Sequence, residues 1–259
     1  MAQRRTISLM LVLVLLTCSY VASAATLVLR RGTEGYDGVG DTYCVEGRGD
    51  TNFGNDVTLR VRKRTSVYYD KVAGLRFDLE GQLPAGAVIT AARLYLYYMD
   101  DEYMTTGDWL TVAAYRLLKS ATEGTGGSGS NRTGASWYYR FAYPDNTMWY
   151  MGGARGVDQD RAGNYDTQLT LWGDAYGWAC FEGAGITSTV QYWHANPSSN
   201  FGWVLDYTAS SDDSNGVIFC SSEQSSIYYR PRLEIDYVIA TPTPTPTRTD
   251  TPTHTATPG

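Results

Sequence analysis

Apolar and polar positions alternate with a period of two along most of this chain, while the longer period of an amphipathic helix is rare. In Ala92 to Tyr98, Leu94 and Leu96 share one side and Arg93, Tyr95 and Tyr97 the other. In Lys71 to Leu79, Phe77 and Leu79 alternate with Arg76 and Asp78. Strand-like runs also cover Thr26 to Arg30, Thr42 to Glu46, Thr58 to Arg62, Leu110 to Arg116, Trp178 to Glu182, Phe201 to Asp206, Gly216 to Ser221 and Arg232 to Val238. With Gly, Asn, Asp and Ser between them, these runs predict an all-β fold: an antiparallel two-sheet β-sandwich or jelly roll. Helical spacing is expected only at Ile186 to His194, where Ile186, Val190 and Trp193 fall at i, i+4 and i+7. Between Ser120 and Leu169 no regular pattern runs, and a Gly/Ser stretch leads into a cluster of aromatics. A long loop insertion is expected there.

The two ends break the pattern. Arg4 and Arg5, the apolar run Ile7 to Leu16 and Ala22-Ser23-Ala24 have the form of a secretory signal peptide cleaved after Ala24. The run is too short to cross about 30 Å of hydrocarbon comfortably, and after signal removal no other segment has the length and apolarity of a transmembrane span. At the other end, residues 240–259 repeat Thr and Pro and hold five of the 9 prolines, as an extended, hydroxyl-rich linker or stalk does. The expected organisation is therefore a signal peptide at 1–24, one β-sandwich domain at 25–239 and the linker at 240–259. The expected location is extracellular, either secreted or attached to a cell surface.

Composition narrows the chemistry. The chain has 2 histidines, and because His254 lies in the tail, His194 is the one imidazole available to the domain. That argues against a His-rich zinc site and against most two-His metal centres. Net charge is -6, and loss of Arg4 and Arg5 with the leader takes it to -8, so a phosphate-backbone or other nucleic-acid partner is not expected. Three cysteines remain after Cys18 is removed, enough for one disulfide and one thiol. Cys180 and Cys220, both in strand-like runs, are the expected pair, with Cys44 to Cys220 as the alternative. Asn131-Arg132-Thr133 is an N-glycosylation sequon and predicts exposure.

Five phrases stand in order along the chain: Asp50-Thr51-Asn52-Phe53-Gly54 with Thr58-Leu59-Arg60-Val61, Leu75-Arg76-Phe77-Asp78-Leu79, and Leu83-Pro84-Ala85-Gly86-Ala87-Val88-Ile89 followed by Ala91 to Tyr97. Asn200-Phe201-Gly202-Trp203 and Arg230-Pro231-Arg232-Leu233-Glu234-Ile235 close the series. Together they frame most of residues 40 to 238 and resemble the DNRLRE (disaggregatase-related) domain family of secreted β-sandwich modules. The resemblance implies a sandwich scaffold and a carbohydrate-binding role, some members being carbohydrate-binding modules of polysaccharide-degrading enzymes. Thr133 to Thr170, a variable loop in the family, and the cysteine set depart from it, so ligand choice is not inherited there.

Aromatic residues that folding does not obviously demand supply the candidate binding chemistry. The apolar face of a pyranose stacks on Trp or Tyr while carboxylates, amides and guanidiniums take the hydroxyls. Trp137, Tyr139, Trp149 and Tyr150 in the long loop, with Trp172 and Trp178 as a second pair, are the expected polysaccharide platform; the competing reading packs the loop rings into a second core. Trp109, Trp193 and Trp203 are expected in the core. Asp41, Asp50, Asn52 and Asp56 offer oxygens suited to a structural calcium ion. No recognisable lyase or glycosidase signature is present, so the expectation is a non-catalytic module for polysaccharide or cell-surface glycan. The alternatives are a subunit that self-associates into an extracellular filament or envelope layer, and a polysaccharide lyase or glycosidase.

Overall fold

A computed structural model describes residues 23–64, 69–127, 133–141 and 144–239. The leader up to residue 22, Asn131 and Arg132 of the sequon, and the Thr/Pro segment 240–259 lie outside the described residues. In chain order the strands are β1 (Ser23–Leu29), β2 (Val39–Val45), β3 (Thr58–Arg62), β4 (Lys71–Phe77), β5 (Ala87–Glu102), β6 (Trp109–Arg116), β7 (Tyr139–Phe141), β8 (Thr147–Met148), β9 (Thr167–Trp172), β10 (Gly177–Glu182), β11 (Trp203–Ser210), β12 (Gly216–Cys220) and β13 (Arg232–Ile239). Helix α1 (Ala184–Ala195) follows β10. One curled antiparallel sheet runs β1, β13, β5, β12, β3, β4, β11, β6, β9, with β10 on β5 and β2 on β4, and β7 and β8 form a small second sheet. The fold is the expected all-β sandwich, and the strands expected from the alternation are all present.

The 16-residue strand β5 joins the two halves of the curl. Its first part pairs with β13 and its last part with β12 along one edge, while β10 takes the middle of the opposite edge. Thr90 has no partner where the register passes from Asp236↔Ala91 to Tyr237↔Ile89. That bulge switches the inward set from Ala87 and Ile89 to Ala92, Leu94, Leu96 and Tyr98. Helix α1 covers the part of the edge that β10 leaves open. Gln191 Oε1 accepts the Ile89 N–H at 2.7 Å and Thr187 Oγ1 accepts the Ala92 N–H at 3.1 Å, so edge donors that would otherwise invite another strand are satisfied.

Inward residues of both halves form one core, in which Leu29, Leu94, Phe181 and Ile235 meet Leu59, Leu75, Leu110 and Phe219. Trp193 of α1 packs on Trp203 of β11 at 4.4 Å between ring centroids. The indole N–H of Trp203 donates to Asp166 Oδ2 at 2.7 Å, so both rings are scaffold, as their positions in regular elements predicted.

Candidate functional site

The segment between β6 and β9 is a cap laid on the outer face of β2, β4 and β11. Odd-numbered residues of these strands, such as Tyr43, Leu75 and Leu205, enter the main core, which leaves Cys44, Val72 and Val204 facing outward. Against these the cap sets Ala135, Trp137, Trp149 and Ala154, and a second buried cluster results. Asn52, fully buried, clasps the cap. Its Nδ2 donates to the carbonyls of Glu123 (2.6 Å) and Ala135 (2.7 Å), and its Oδ1 accepts from Gly126 N (2.8 Å) and Gly54 N (3.2 Å). Gly124 beside it adopts φ +84°, and a Cβ there would sit 2.5 Å from Asn52 Oδ1.

Charged groups fasten the other end. Arg155 donates through Nε and Nη2 to both oxygens of Asp206 (2.9 and 2.7 Å) and through Nη1 to Asp70 (2.6 Å), while Arg161 adds a bond to Asp206 at 2.8 Å. The Arg155 guanidinium also lies over the rings of Trp137 and Tyr207. Burial alone would lower its pKa, but the two carboxylates outweigh burial and hold it above the usual arginine value. Asp160, buried, accepts the backbone N–H groups of Tyr150, Met151 and Gly156 and so shapes the turn that carries Arg155.

Cap and sheet do not close completely. A cleft of about 440 Å³ remains between them, with a floor that includes Thr42, Cys44, Val72 and Gly74, and with Trp149 and Phe201 in its wall. Asp41 and Glu123 line its acidic end, and Glu223 comes within 4.8 Å of both. Glu123 Oε1 accepts the Asp41 N–H at 2.9 Å, an edge donor of β2. Burial and the negative charge of Glu223 push the Asp41 carboxyl well above the ordinary range. Burial likewise raises Glu123 to about 7, with Glu223 adding to the effect. Arg31 bridges Glu223 and Asp37.

A second surface lies on the outer face of β5, β10 and β13. Trp178 stands opposite Tyr97 in the β10–β5 register, and Cys180 and Arg232 flank Tyr95 from either side. Trp178 meets Tyr97 edge-on at 5.4 Å, Tyr229 packs on Tyr97 at 4.4 Å, and Tyr228 meets Trp178 at 5.9 Å. The guanidiniums of Arg30 and Arg232 lie over Trp178 at 5.7 and 4.9 Å. Tyr228 is 58 % exposed and Tyr229 is exposed as well, so two tyrosine rings project to solvent from a base of packed aromatics and cations.

The expected site residues divide accordingly. Trp137 and Trp149 are only 6 % and 7 % exposed; they hold the cap down, and neither presents a face to a polymer. Tyr139 is half-buried in β7, Tyr150 is 75 % exposed, and Trp172 is 50 % exposed in β9. Trp178, half-buried, belongs to the aromatic face. Tyr228 and Tyr229 were missed because they lie in a short 3-10 turn between β12 and β13, where no periodicity marks them.

The expected calcium set does not assemble. Asn52 has spent its oxygen on two N–H groups, and Asp56 accepts from Tyr43 and Thr58 in a local turn. Asp50 does not join Asp41 in the acidic cluster, whose other members are Glu123 and Glu223. These two come from segments about 80 and 180 residues away in sequence, a distance that local reading does not span.

The described cysteines are all free thiols, so the expected Cys180–Cys220 bridge is absent. Tyr98 pairs with both Gly177 and Phe219, which puts β10 and β12 on opposite edges of β5. Two strand spacings separate them, about 9.5 Å, and a disulfide needs Cα atoms within about 7 Å. Cys44, the other possible partner, is buried under the cap, where burial raises its thiol to about 12.

Among the described residues, no helix is long and apolar enough to cross a membrane. No protein-family model matches the chain, and no curated protein matches it.

Proposed function

We propose that this chain is a secreted, non-catalytic glycan-binding module that meets polysaccharide through the aromatic face of β5, β10 and β13, with the Thr/Pro tail as its spacer. The observation that carries this reading is the pair of exposed rings, Tyr228 and Tyr229, propped by Trp178 and Tyr97. Rings held this way lose little conformational entropy when a sugar stacks on them. Arg30 and Arg232 place donors beside the rings where sugar hydroxyls or carboxylates would lie. The ordered phrases that resemble DNRLRE domains agree with the same role.

Replacing both tyrosines, Tyr228→Ala with Tyr229→Ala, should weaken retention on the recognised polysaccharide about tenfold or more. Because both rings project to solvent, the urea midpoint should move little. Affinity electrophoresis in polysaccharide-containing gels, run beside urea unfolding, reads both effects. Retention unchanged by the double substitution would move the site elsewhere. A filament subunit would instead polymerise without any sugar.

A further inference from the structure

We infer that Asp41, Glu123 and Glu223 hold a calcium ion where the cap meets the free edge of β2. The inference is independent of the glycan reading and rests on different residues. One oxygen from each of the three carboxyl groups lies within 4.8 Å of the others. Oxygens that share one calcium at about 2.3 to 2.6 Å stand no more than about 5.2 Å apart, so the spacing fits a common ion. Calcium also accepts irregular oxygen geometry, which magnesium does not.

The second observation is Asp41 itself. Asp41 is 2 % exposed, and while Oδ2 accepts the Ser222 N–H at 2.8 Å, the buried Oδ1 has no hydrogen-bond donor among the described residues. A buried carboxylate oxygen without a partner is costly, and a cation in the cluster removes that cost. Among the described residues, Arg31 is the cation bonded to the cluster, reaching Glu223, and it is shared with Asp37. Three carboxylates therefore face one divided positive charge.

Calcium binds ionised carboxylates, so protons compete with the ion for the same oxygens.

The test is calorimetric titration of the chelator-treated full chain with calcium chloride, together with thermal unfolding at pH 5 and pH 7.5. Calcium should bind, release protons and raise the melting temperature more at pH 7.5 than at pH 5. Glu123→Gln, which keeps an acceptor for the Asp41 N–H, and Glu223→Gln should each weaken binding about tenfold or more. A melting temperature indifferent to calcium at both pH values overturns the inference. Calcium binding that survives both substitutions at full strength overturns it too, and a calcium-independent gain in stability from Glu123→Gln would identify the cluster as proton-sharing only.

Discussion

Arg155→Leu should cost about 3–5 kcal/mol of unfolding free energy, because removing one partner of a buried ion pair leaves charge without compensation. Here one guanidinium serves two carboxylates: bidentate on Asp206 and single on Asp70, which also accepts from the Tyr207 hydroxyl and the Arg64 N–H. Asp206 keeps Arg161 after the substitution. Among the described residues, Asp70 keeps those two neutral donors. The same guanidinium covers the ring of Trp137, so the cap loses two of its charged fastenings and the cover over that ring together, keeping Arg161 on Asp206. Arg155→Lys should recover only part of the loss, since an ammonium cannot span both carboxylates with a planar fork. Urea unfolding gives the value; a loss below about 1 kcal/mol, the range of an exposed pair, would show that the network contributes little.

The substitution Asn52→Asp should be comparably severe, roughly 3–5 kcal/mol, although it changes one atom of one side chain. The two Nδ2 donors now satisfy the carbonyls of Glu123 and Ala135, and an aspartate would turn an oxygen toward them. Two buried carbonyls would lose their donors while facing a buried charge. The Gly126 and Gly54 N–H groups would still be served, so the damage should be confined to the cap. Amide hydrogen exchange would then rise in the segment around Ala135 to Ala154 before it rises in β5 or β13. Uniform loss of protection across the sheet would mean that cap and sandwich unfold as one unit.

How far the sequence could be read depended on whether a feature is local. Strands with a clean period of two were legible, as was α1 from three apolar positions, because each buries one face against the same core. Strand β9 has that alternation too, with Leu169 and Leu171 inward, but it borders the long loop and is absent from the strand-like runs read from the sequence. The loop's aromatics admitted two readings, platform or second core. Trp137 and Trp149 fall to the second because the outer face of β2, β4 and β11 carries Cys44, Val72 and Val204, apolar residues that need a cover. Strand pairing alone creates that need, and no spacing within residues 120–165 announces it. The carboxylate cluster was hidden for a related reason: Asp41, Glu123 and Glu223 meet only once β2, the cap and the turn after β12 are folded together. The disulfide expectation failed on topology, since β5 runs between the two cysteine-bearing strands.

These corrections move the proposed glycan-binding surface from the long loop to the sheet face that carries Tyr228 and Tyr229. The loop becomes a structural lid whose edge meets an acidic cluster. The separation has a practical meaning: cap substitutions should change stability, face substitutions should change binding, and neither should imitate the other.

The most direct measurement is retention of the full chain on a panel of insoluble and gel-immobilised polysaccharides, neutral and acidic, with the Tyr228→Ala/Tyr229→Ala protein run beside it. The account predicts that the native protein is held by at least one polysaccharide and that the double variant, folded to the same urea midpoint, is released. Failure of the native protein to bind any member of the panel, or equal retention of the two proteins, would contradict it.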